Sequence, residues 1–177
     1  MKYFTIIIII NICCFAQGYN MQLVSHLPYN QNCSDITGFA QDGREFAVIG
    51  LQNAASIVDI TDPYNPYEIT RIIGGHSTWR DIKYWNRYVY IGTEASENNG
   101  IQIISVDDLD NPILVNTIID FGSSHNIYID TDGFLYIIGT AFDCDIWIGR
   151  HFGHDNRVID APKFRDHCTK VGHVAKR

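Results

Sequence analysis

At 177 residues the chain has the length of one ordinary domain with its own core. It is 46% hydrophobic and only 19% charged, with ten Tyr and nine Phe, a composition that excludes intrinsic disorder. A formal charge of -7 argues against nucleic acid or an anionic lipid surface as the main partner.

The first sixteen residues read as a signal peptide. Lys2 supplies a short positive region, Tyr3 to Cys14 is almost wholly apolar, and Cys14-Phe15-Ala16 offers small residues at the cleavage positions before Gln17. The apolar run falls short of the roughly 20 residues that cross a bilayer. A lipoprotein signal fits poorly, because bulky Ile12 precedes Cys13. The expectation is therefore an exported protein, extracellular or cell-surface, with no membrane-spanning segment once the signal is cleaved. Cys33, Cys144 and Cys168 then remain, which allows one disulfide and one free thiol. Their spacing matches no zinc pattern. Asn32-Cys33-Ser34 has the form of an N-glycosylation sequon.

Residues 17–32 form a lead-in, with Leu23, Val24 and Leu27 as its aliphatic cluster. They supply either an extra edge strand or a simple approach. From Cys33 the pattern becomes regular. Asp42-Gly43 between Phe39 and the run Phe46-Ala47-Val48-Ile49-Gly50 predicts a hairpin. Ala55 to Ile60 predicts a third strand, ended by Thr61-Asp62-Pro63-Tyr64-Asn65-Pro66, because Pro has no N–H to donate. The same order returns from Trp79. Arg80 to Tyr84, Tyr88 to Thr93, Ile101 to Val106 and Ile113 to Ile118 predict four strands rich in β-branched and aromatic residues. A third copy opens at His125-Asn126-Ile127, turns at Asp132-Gly133 and returns through Phe134 to Gly139.

The offsets set the period. Asp35-Ile36 stands 46 residues before Asp81-Ile82, Val58 before Ile104, and Asn65-Pro66 before Asn111-Pro112; Ile82 precedes Ile127 by 45, and Gly92 precedes Gly139 by 47. Four antiparallel strands in each period of about 46 residues predict an all-β fold of β-propeller blades. Residues 33–139 hold an incomplete ring of about 2.5–3 blades. Residues 140–177 leave the pattern. The period predicts a third strand near 147–152, for which Ile146-Trp147-Ile148 is a faint candidate, and an Asn-Pro turn that is missing. This tail reads as a divergent solvated segment or, preferably, as the product of truncation or a frame shift. With two complete repeats and part of a third, the chain as written is not expected to be self-sufficient. Self-association through open blade faces is the expected behaviour.

The stretch Ser56-Ile57-Val58-Asp59-Ile60-Thr61-Asp62-Pro63-Tyr64-Asn65-Pro66 resembles the core motif of LVIVD-repeat propellers, specifically choice-of-anchor B family proteins. A weaker copy, Ile103-Ile104-Ser105-Val106 through Asn111-Pro112, has Ser105 for the Asp and Leu109 for the first Pro. Trp79-Arg80-Asp81-Ile82-Lys83 and Ser124 to Asp130 are similar to further family stretches, so the resemblance covers roughly 33–139. It implies an exported or surface-displayed propeller. It brings no catalytic residues with it.

Chemistry-bearing residues gather where each repeat's first strand begins: Ser34-Asp35, Arg80-Asp81 and His125-Asn126, with His76 just upstream and Glu94 after the second strand. In a propeller these positions ring the central channel, where Asp35, Asp81 and His125 could converge on a divalent metal or an acid–base pair. The plainer reading is the stronger one: polar groups repeated in every blade hold loops by accepting backbone N–H bonds. Trp79, Tyr84 and Trp85 could stack on a sugar, although filling the core is their expected duty. No nucleophile elbow, phosphate-binding glycine loop or HExxH is present. The leading expectation is a non-enzymatic scaffold for a protein or carbohydrate partner, with no cofactor. The alternative is a metal-assisted hydrolase or lyase at the channel mouth.

Overall fold

The computed structural model describes residues 21–95, 99–140 and, as backbone only, 147–150. The proposed signal peptide, Cys144, Cys168 and the tail from 151 onward lie outside the described residues. Among those described, the fold is all-β. The first sheet holds β1 (Cys33–Gln41), β2 (Arg44–Leu51), β3 (Ala54–Asp59) and β4 (Tyr67–Ile73) in that order. The second holds β5 (Arg80–Trp85), β6 (Tyr88–Thr93), β7 (Ile101–Ser105) and β8 (Ile113–Ile118). In the third, β10 (Phe134–Ile138) pairs with β9 (Asn126–Ile129) and with β11 (Trp147–Arg150). Every pairing is antiparallel. No described helix is long and apolar enough to cross a membrane.

Local sequence explains the hairpins. Asp42 and Gly43 both take positive φ, 51° and 79°, and join Gln41 directly to its partner Arg44. Such a two-residue turn matches the twist of the strands it connects. Asn86 and Arg87 do the same between β5 and β6, at φ 47° and 68°. An arginine in this region is strained, and Arg87 is held there by an ion pair with Asp42 of the neighbouring turn at 2.7 Å. After β3, the Asp62 carboxylate accepts from the Tyr64 N–H at 2.9 Å and from the Asn65 side chain at 2.7 Å. After β7, Asp108 accepts from the Asp110 N–H at 3.1 Å, so the turn recurs with the repeat.

The sheets stack in chain order, with β5 lying against both β1 and β9. Alternation along each strand then fills two separate cores. Phe39, Phe46, Val48, Ala55 and Ile57 of the first sheet meet Ile82, Val89, Ile91 and Ile104 of the second. Tyr88, Tyr90, Ile101 and Ile103 look the other way, onto Ile127, Leu135 and Ile137 of the third. Covered on both sides, β6 is buried along its whole length. A buried Val or Ile contributes about 1.5–3 kcal/mol, so β6 anchors the stack. Among the described residues, 21–32 of the lead-in add no strand. They lie over the back of the first sheet, with the Tyr29 hydroxyl 2.8 Å from Ser56 Oγ and Ser25 donating to the Pro63 carbonyl.

Register corrects one offset. Gly92 pairs with Asp81, and Ile138 pairs with Asn126. The structural counterpart of Gly92 is therefore Ile138, at the common period of 46, and not Gly139. The expected third strand of the last repeat is present as β11. Among the described residues the three sheets form an open stack and no closed ring.

Candidate functional site

The leading strands β1, β5 and β9 begin side by side, and their first residues enclose a pocket of about 340 Å³. Cys33, Ser34 and Asp35 line it from the first sheet, Thr78, Trp79, Arg80 and Asp81 from the second, and Asn126 from the third. Side chains far apart in the chain meet here because each occupies the same place in its repeat.

The two aspartates act across the sheet boundaries. Asp35 Oδ2 accepts the backbone N–H of Ile82 at 2.8 Å. Asp81 Oδ2 accepts that of Ile127 at 2.6 Å, and the Asn126 side-chain amide donates to the same oxygen at 3.3 Å. The other oxygen of Asp81 is ion-paired with Lys83. Each carboxylate thus fastens its own sheet to the next, and Asn126 holds the corresponding position in the third.

Arg80 is fully buried beneath the pocket. Its Nε donates to the Leu51 carbonyl at 2.7 Å, and Nη2 donates to the carbonyls of Gly75 and, at 3.4 Å, Gln52. Burial pushes its pKa down, but a guanidinium keeps its charge in a protein. Arg80 therefore ties β5 to the end of β2. Nη1 has no hydrogen-bond partner among the described residues.

Glu94 and His125 form a second group beside the pocket. His125 Nδ1 bonds Glu94 Oε1, both side chains being about half exposed. The His125 ring stacks on Trp79 with centroids 4.7 Å apart and planes 5° from parallel. The indole N–H of Trp79 donates to the His125 carbonyl at 2.7 Å. Trp79 is 41% exposed. Tyr84 instead packs on the first core, stacked on Phe39, and Trp85 on the second.

The structure thus brings Asp35, Arg80 and Asp81 to one pocket and sets Glu94 with His125 at its side. It does not gather Asp35, Asp81 and His125 around an ion: no three His, Cys, Asp or Glu among the described residues are placed to hold one. The physical reason is that the carboxylates already serve backbone N–H groups of the following sheet. The sequence set His125-Asn126 at the place equivalent to Ser34-Asp35 and Arg80-Asp81, and of that pair Asn126 is the one that lines the pocket. Trp79 departs from the core-filling duty expected of it, because the burial of a Trp depends on its neighbours.

No protein-family model, curated protein or solved structure matches this chain.

Proposed function

We propose that the three sheets are blades of a β-propeller of the LVIVD-repeat kind, displayed outside the cell as a binding scaffold for a protein or glycan. The pocket at the start of β1, β5 and β9 is its ligand site. The observation that carries this reading is that one pocket of about 340 Å³ is lined by polar side chains from all three sheets, with an exposed indole among them. That volume and mixture suit a small ligand or one protruding group of a larger partner. The recurring stack of antiparallel sheets and the sequence resemblance support the propeller. The signal-like N-terminus supports export.

The metal-assisted hydrolase or lyase draws no comparable support, since Asp81 has both oxygens engaged and Asp35 is tied to Ile82.

Filling the pocket tests the reading. The full chain and its Thr78→Trp variant are titrated against immobilised glycans and purified extracellular-matrix proteins. Saturable binding of at least one ligand by the natural chain, lost in the variant, is the expected result. Equal binding by both, or no saturable ligand in either class, overturns it.

A further inference from the structure

The exposed tryptophan is held unusually firmly for a surface residue. Its backbone N–H and carbonyl both bond Ser77 Oγ, at 3.0 and 2.9 Å, and the Thr93 hydroxyl donates to the same carbonyl at 3.4 Å. The indole N–H is fixed on the His125 carbonyl, and one ring face is covered by the imidazole. Glu94 in turn holds that imidazole. Trp79 is thus fixed on one face by the imidazole and at its N–H by the His125 carbonyl, yet it stays 41% exposed and lines the pocket.

We propose that this platform receives a sugar: a pyranose ring lies on the free face of Trp79, and its hydroxyls reach Asp35, Ser34, Thr78 and Asn126. This deepens, and rests on, the reading of the pocket as a ligand site. Three observations carry it. A preorganised aromatic plane matches the apolar C–H face of a pyranose, and its rigidity lowers the entropic cost of binding. The surrounding groups are those that bind vicinal hydroxyls: hydroxyls from Ser34 and Thr78, a carboxylate from Asp35 and an amide from Asn126. Asp35 gives Oδ2 to the Ile82 N–H, which leaves its other oxygen as the acceptor on this side. Of the three aromatic residues at the start of the second repeat, Trp79 is the one that neither core absorbs.

The test is titration of the full chain with cellobiose, lactose, maltose and N-acetylglucosamine, read by calorimetry and indole fluorescence. Tetramethylammonium is the comparison probe, because an aromatic face beside a carboxylate also suits a cation. At least one sugar is expected to bind with a dissociation constant of about 10 mM or tighter, and Trp79→Ala to weaken it by roughly tenfold or more. Trp79→Phe should lose less, and Asn126→Ala should weaken the same sugar. Far-UV circular dichroism and Tm show that each variant is folded; if Trp79→Ala is not, Trp79→Phe and Asn126→Ala carry the test. Silence across the sugars, binding indifferent to these substitutions, or binding of the ammonium ion alone overturns the proposal. If the sugars are silent while a protein ligand is lost in Thr78→Trp, the sugar falls and the ligand site stands. If both are silent, both fall.

Discussion

Asp81 shows how one side chain can join two sheets. Its carboxylate accepts a buried backbone N–H from Ile127 and pairs with Lys83. Removing it strands a buried donor and frees a cation in one step. Asp81→Ala should therefore cost about 2–4 kcal/mol, as expected when a buried donor loses a charged acceptor. Asp35→Ala, whose bond to Ile82 is less buried, should cost less. Urea unfolding midpoints check the order, and equal midpoints for Asp81→Ala and the natural chain would remove the clasp from the account. Asp59 carries a pH dependence. Burial alone would raise its pKa, but hydrogen bonds from Thr61 and from Arg44 outweigh that and hold it at about 2, against an ordinary 3.8. A carboxylate depressed in the folded state stabilises the protein above its unfolded pKa and loses that stabilisation as pH falls through the folded value. Stability should thus drop by roughly 2 kcal/mol between about pH 4.5 and pH 2 on account of this one group. Asp59→Asn should flatten that part of the profile, measured as Tm against pH; an unchanged acid limb would contradict the assignment.

Among elements, the spacing of neighbouring sheets depends on glycine in the second strand. A Cβ on Gly92 would stand 2.6 Å from Ser124 Oγ and 3.2 Å from an Ile127 methyl, both in the next repeat. A Cβ on Gly50 would stand 3.1 Å from Arg80 Cβ. These positions let the following strand come close enough for the aspartate clasp to reach. Gly92→Ala should push β9 away from β6 and cost about 1–3 kcal/mol, seen as a lower Tm and faster amide exchange at Ile127. Exchange unchanged at Ile127 would show that the strands do not meet as described. In the third sheet Ile138 takes this place, so its outer face lacks the recess that the first two sheets provide. The repeat changes at this point in structure as well as in sequence.

On the scale of the whole molecule, burial depends on position in the stack. Ile36, Ile82 and Ile127 are repeat equivalents, yet Ile36 is 65% exposed while Ile82 and Ile127 are 1% and 3% exposed. The first sheet has no sheet behind it among the described residues, only the lead-in, which covers Ser56 but leaves Ile36 open. Ile82→Ala should therefore cost about 2–4 kcal/mol, and Ile36→Ala no more than about 0.5 kcal/mol. Chemical denaturation of the two variants decides the matter. Equal costs would mean that a further sheet covers Ile36 in solution.

The strands, the hairpin at Asp42-Gly43, the Asp62 turn and the period of 46 were legible in the sequence. Each is written in local chemistry: β-branched alternation, residues that tolerate positive φ, and proline where a ladder must stop. The acidic residues of the site were legible too, as a recurrence at the head of each repeat. Their partners were not. Only the stacking of sheets shows that Asp35 and Asp81 each give one oxygen to a backbone N–H of the following repeat, an interaction between residues nearly fifty apart. Register, settled by pairing across the whole strand, moved the counterpart of Gly92 from Gly139 to Ile138. The tertiary structure also decided that Trp79 stays exposed while Tyr84 and Trp85 pack against the two cores. A sequence gives each side chain its size and polarity, whereas exposure belongs to the neighbour that covers it or does not.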